Sequence, residues 1–106
     1  MEDLLFDINK STEIIGSKKM ATKLLDKLLA ELAITKETIK KCSELNDTQQ
    51  LKKIIHKTLG ATAYCITPKL TKQLNELQKR IKEDTSQLTN DCLKIITTIN
   101  LMLNTL

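Results

Sequence analysis

From Ser17 to Leu45 the chain contains neither glycine nor proline, and apolar residues recur through this stretch at steps of three and four. Ala21, Leu24, Leu25, Leu28, Leu32, Thr35, Ile39 and Cys42 fall on one side of a 3.6-residue repeat, so the spacing predicts a single amphipathic helix over 18–44. A helix with one apolar stripe is marginal in water on its own. The rest of the chain must therefore supply the surface that covers it.

Punctuation marks out four further segments. Gly16-Ser17 separates a short first helix, expected over 4–15, and Ser17 is placed to cap the free N–H groups of the long one. Asp47 followed by Gln50 has capping-box spacing, which predicts a helix over 48–64. Thr67-Pro68 opens another over 68–83, with Thr67 as N-cap and proline at the first helical position, and its stripe is Leu70, Leu74, Leu77 and Ile81. After Glu83-Asp84-Thr85-Ser86 comes a last helix over 87–105, with Leu88, Cys92, Ile95, Ile96, Ile99, Met102, Leu103 and Leu106 on its apolar side. Four long amphipathic segments with short connections predict an all-α fold, an up-down antiparallel four-helix bundle with a short extra N-terminal helix as a lid.

At 106 residues the chain makes one domain, long enough for a core but not for a cleft between lobes. Function is expected on its exterior. Cys42, Cys65 and Cys92 are odd in number and show no CxxC spacing, which suggests neither a disulfide framework nor a zinc site. No apolar run reaches the roughly 20 residues a membrane span needs, and the opening MEDLLFD lacks the basic start of a secretory signal. The expectation is a reduced, cytoplasmic domain. The net charge of +4 suits an acidic protein partner as well as nucleic acid. Nucleic acid is disfavoured by the scarcity of aromatics and the absence of an arginine cluster. The basic run Lys69, Lys72, Lys79, Arg80 and Lys82 reads as a solvated face or as a complement to an acidic partner.

The only histidine, His56, stands four residues before Gly60, one of two glycines. On a helical wheel Leu51, Ile54, Ile55, Thr58 and Thr62 cluster toward the core, whereas His56 falls about 130° away with Lys53 and Gly60. Such a histidine can be an ordinary surface residue. Glycine inside a helix costs up to about 1 kcal/mol relative to alanine, and no core packing accounts for it on the exposed side. Metal binding lacks further ligands, because Leu59 and Gly60 occupy the i+3 and i+4 places. A nucleophile-base dyad lacks a cleft. The chemistry that remains is a neutral ring nitrogen attacking phosphorus, with nearby ammonium groups balancing the added charge.

His56-Lys57-Thr58-Leu59-Gly60-Ala61, followed by Tyr64 and Pro68, resembles the His-Lys-x-x-Gly-[Ser/Ala] region of histidine-containing phosphotransfer domains. It is most similar to the C-terminal domains of this kind in BarA-type hybrid sensor kinases, over essentially the whole chain from the short first helix through Ile81. The resemblance implies a four-helix bundle without kinase activity that accepts a phosphoryl group from one receiver-domain aspartate and passes it to another. His56 matches the phosphoacceptor, Gly60 the small residue that admits the receiver, and Gln78 a glutamine that orients the ring. Many relatives carry lysine where Leu59 stands, so Lys53, Lys57 or Lys82 must supply the charge near the phosphate, and Leu59 can join Lys52, Gly60 and Ala63 in docking the receiver. No cofactor is implied, since Mg²⁺ comes from the receiver. The implied partners are receiver domains of a hybrid sensor kinase and a response regulator, with no nucleic acid and no direct membrane contact. The isolated domain is expected to be a monomer, in the cytoplasm, as a cytoplasmic piece of an inner-membrane sensor kinase or a free protein. The alternative is a helical docking module without chemistry, an inactive relative of the same shape.

Overall fold

A computed structural model describes residues 4–105. The described chain is all-helical, with α1 at Ile8–Ile15, α2 at Lys18–Leu45, α3 at Thr48–Ala61, α4 at Pro68–Glu83 and α5 at Leu88–Thr105. Local chemistry sets most of these bounds. Ser17 Oγ accepts from the Met20 N–H at 3.2 Å and Asp47 Oδ1 from the Gln50 N–H at 3.1 Å, which fixes where α2 and α3 begin. Gly16 and Asn46 end α1 and α2 in the left-handed conformation, at φ 88° and 53°.

α2 packs against both α3 and α5, and α4 also packs against both, which leaves α3 diagonal to α5. The connections between consecutive long helices are too short to cross a helix length, so neighbours run antiparallel. At about 1.5 Å per residue the 28 residues of α2 span about 42 Å, and the molecule's longest axis is 41 Å. The core is aliphatic. Leu32, Ile39, Leu51, Ile55, Leu70, Leu74, Leu77, Ile95, Ile99 and Met102 are among its fully buried side chains. Leu29, outside the expected α2 stripe, is buried as well, because α2 is covered by α1, α3 and α5 and hides a wider arc than one seam needs. Leu106, expected to end the α5 stripe, lies outside the described residues.

Three expectations change. The first helix begins at Ile8 rather than 4, with Asp7 as its cap. Leu4 to Asp7 instead bonds to the α3–α4 connection, through Asp7 N–H to Ile66 O at 2.9 Å, and to the first turn of α4, through Lys69 N–H to Leu4 O at 3.1 Å. The third helix stops at Ala61 rather than 64. There the Thr62 hydroxyl donates to Leu59 O at 2.7 Å, and Ser11 Oγ accepts the Ile66 N–H at 2.9 Å, tying the connection to α1. Thr67 stands at the N-cap position of α4 without a capping bond, its hydroxyl buried and unpartnered among the described residues. Cys42, Cys65 and Cys92 are all free thiols and all buried. Among the described residues no helix is long and apolar enough to cross a membrane.

Candidate functional site

Leu51, Ile55 and Thr58 anchor α3 in the core. Thr58 is the polar member, and its hydroxyl donates back to Ile54 O at 2.7 Å, so a polar group is buried without being left unpaired. With that face fixed, helical geometry turns Lys52, Lys53, His56, Lys57 and Gly60 outward, and all five are exposed. The exposed imidazole enters no hydrogen bond or ion pair among the described residues. A side-chain carbon added at Gly60 would meet nothing within 4 Å. The glycine is therefore not demanded by packing inside the domain. It leaves the helix surface one turn after His56 flat.

The two flanks of this face differ. On the α2 side, Lys57, Gly60, Ala61 and Tyr64 line two adjoining recesses of about 110 and 240 Å³, whose opposite wall is α2. Leu28 and Glu31 line both, with Leu24 and Lys27 at one end and Ile34 at the other. Tyr64 is 56% exposed and Ile34 is 71% exposed. His56 is rotated from Ile54 and Ala61 by about 150°, toward the α4 side. On that side Thr71 and Asn75 share a recess with Thr62, and Gln78 and Lys82 follow Asn75 at i+3 and i+7 along the same flank of α4. Gln78 is half-buried and Lys82 exposed, and no hydrogen bond joins either to His56.

Among the residues picked from sequence, Lys52, Lys53, His56, Lys57 and Gly60 thus share one exposed face. Ala63 is exposed but lies in the turn beyond α3, and Leu59 is half-buried, packed on the core. The α2 wall went unnoticed in the sequence. Its signal was Ile34, an isoleucine out of phase with the Leu32, Thr35 and Ile39 stripe. Among the described residues no group of three or more His, Cys, Asp or Glu side chains could hold a metal ion.

The thiols are set apart from this surface chemistry. Burial pushes the Cys92 thiol up to about 11, with the Asp91 and Cys42 charges adding and a Ser43 hydrogen bond opposing. Burial also raises Cys42 and Cys65, helped by Asp47 and Glu31 respectively. Thiols held neutral in a core are poor nucleophiles. No family model, curated protein or solved structure matches the chain.

Proposed function

We propose that this domain is a phosphohistidine carrier, taking a phosphoryl group from the aspartyl phosphate of one receiver domain and passing it to another. The observation that supports the reading is the pairing of a lone, exposed, unengaged His56 with Gly60, which opens the helix surface one turn away. A receiver docks over this face, and the unprotonated imidazole nitrogen attacks phosphorus in line. A nitrogen–phosphorus bond forms, the acyl phosphate P–O bond breaks, and the receiver's carboxylate leaves with the electron pair. The other ring nitrogen keeps its proton. The receiver supplies Mg²⁺ and most of the charge stabilisation, while this chain contributes position.

Lys53 and Lys57 bracket His56 on α3 and Lys82 stands on the neighbouring flank of α4, so ammonium groups offset the arriving charge where Leu59 carries none. Gln78 orients the ring once the phosphoryl group is present. Lys52, Gly60, Ala63 and the edge of Leu59 form the docking surface on α3 and its following turn. The carrier has no kinase activity of its own, and the proposed setting is the cytoplasm, beside the receivers of a hybrid sensor kinase and a response regulator.

The test mixes the domain and its His56→Gln variant with phosphorylated receivers. Label acquired by the parent alone, acid-labile and base-stable, supports the carrier. Two folded proteins that both stay unlabelled across receivers from several pathways would refute it, in favour of a docking module without chemistry.

A further inference from the structure

The face of α5 diametrically opposite the core packs against no other helix among the described residues, although Asn90 Nδ2 donates to Gln87 Oε1 at 2.8 Å and one edge of the face borders a recess shared with α4. Taking Leu93 as the origin and about 100° per residue, Asn90, Leu93, Thr97, Leu101 and Asn104 all fall within about 80° of arc, facing away from buried Cys92, Ile95, Ile99 and Met102. All five are exposed, Leu93 at 54% and Leu101 at 46%. None is charged. Within 90–104 the charged residues are Asp91, which is buried, and Lys94, exposed about 20° beyond the Leu101 edge of the arc. From Ile95 to Thr105 there is no Asp, Glu, Lys or Arg, in a chain that is 28% charged. The outward faces of α2, α3 and α4, by contrast, are studded with lysine.

The order of these residues is symmetric. Counting from Thr97, leucine stands at four residues in either direction and asparagine at seven. The steps of three, four, four and three average 3.5 residues, the period of a helix–helix seam. A sequence that reads the same from both ends of a helix face is self-complementary under a two-fold axis, where residue i meets j and j meets i. We infer that two copies of this chain associate through α5, antiparallel about an axis at Thr97, with Leu93 of each copy against Leu101 of the other and Asn90 against Asn104. Charge favours a second copy as occupant, because a protein of net +4 repels itself on every lysine-rich face and this arc carries no charge. Small Thr97 at the axis lets the helices approach. Because α5 is diagonal to α3, the dimer leaves His56 uncovered. It replaces the monomer that the family resemblance implied, and it stands whether or not His56 carries phosphate.

Two leucines per copy along about 27 Å of helix make a small interface, so association is weak and concentration-dependent. The test is sedimentation equilibrium of the 106-residue chain from about 10 µM to 1 mM, the range in which small interfaces assemble. The expected result is a weight-average mass rising above 12.0 kDa toward twice that value. Leu93→Lys, Leu101→Glu and, at the axis, Thr97→Lys each weaken dimerisation at least tenfold while circular dichroism stays unchanged. An equimolar mixture of Leu93→Lys and Leu101→Glu dimerises again, because one contact then pairs the two introduced charges and the other restores leucine on leucine. A monomer at every concentration, variants that dimerise like the parent, or a mixture that stays monomeric overturns the inference.

Discussion

Gly60 separates what the fold wants from what the proposed function wants. It is helical, exposed and one residue from the end of α3, and an added side-chain carbon meets nothing within 4 Å. Gly60→Ala therefore gains helix propensity without a steric cost, and because the mid-helix gain of roughly 0.5–1 kcal/mol is reduced so close to the helix end, it is worth up to about 0.5 kcal/mol. Unfolding entropy of roughly 2.1 cal/mol/K per residue, over 106 residues, is about 0.22 kcal/mol/K, so the melting temperature should rise by up to about 2 °C. Thermal denaturation followed at 222 nm reads this directly. Phosphoryl transfer should move the other way, falling as the side chain grows from Gly60→Ala to Gly60→Gln, because bulk one turn from His56 holds the receiver off the imidazole. A Gly60→Ala domain that melts below the parent refutes the open-surface reading. A Gly60→Gln domain that accepts phosphate at the parent's rate refutes the role given to the glycine.

Thr67→Val removes a buried hydroxyl that has no partner among the described residues, and urea denaturation should show a gain of about 1 kcal/mol. Leu74, fully buried, should cost about 3 kcal/mol on truncation to alanine in the same assay. The Cys92 thiol, pushed up to about 11 by burial, contributes stability that is intact below its ordinary value of 9.0 and is lost as pH rises from there toward 11. Denaturation midpoints between pH 8 and pH 10.5 should accordingly fall more steeply for the parent than for Cys92→Ala. Arg80 pairs with Asp91 at 2.6 Å across α4 and α5, with the carboxylate only 11% exposed and the guanidinium 46%. Arg80→Met strands the more buried partner, so it should cost more in urea denaturation than Asp91→Asn, by about 1 kcal/mol.

The sequence by itself determined the parts that depend on near neighbours in the chain. Ser17 and Asp47 cap where they stand because the groups they satisfy lie three residues on, and Gly16 ends α1 through its own backbone freedom. The stripes of α4 and α5 were legible for the same reason, since a helix maps sequence spacing directly onto a face. That mapping also turned His56, Lys53 and Gly60 outward together. Only the tertiary structure decided what depends on residues far apart. It started α1 at Ile8, because Asp7 N–H is taken by Ile66 O, and stopped α3 at Ala61 beside the turn that Ser11 holds. It packed Leu59 onto the core, opposed Gly60 with a wall of α2 formed by Leu24, Lys27, Leu28 and Glu31, and buried the Thr67 hydroxyl without a partner among the described residues. The symmetric order of α5 was present in the sequence, but only the arrangement of four helices left that face uncovered. Periodicity states which residues share a face, and packing alone states what each face meets.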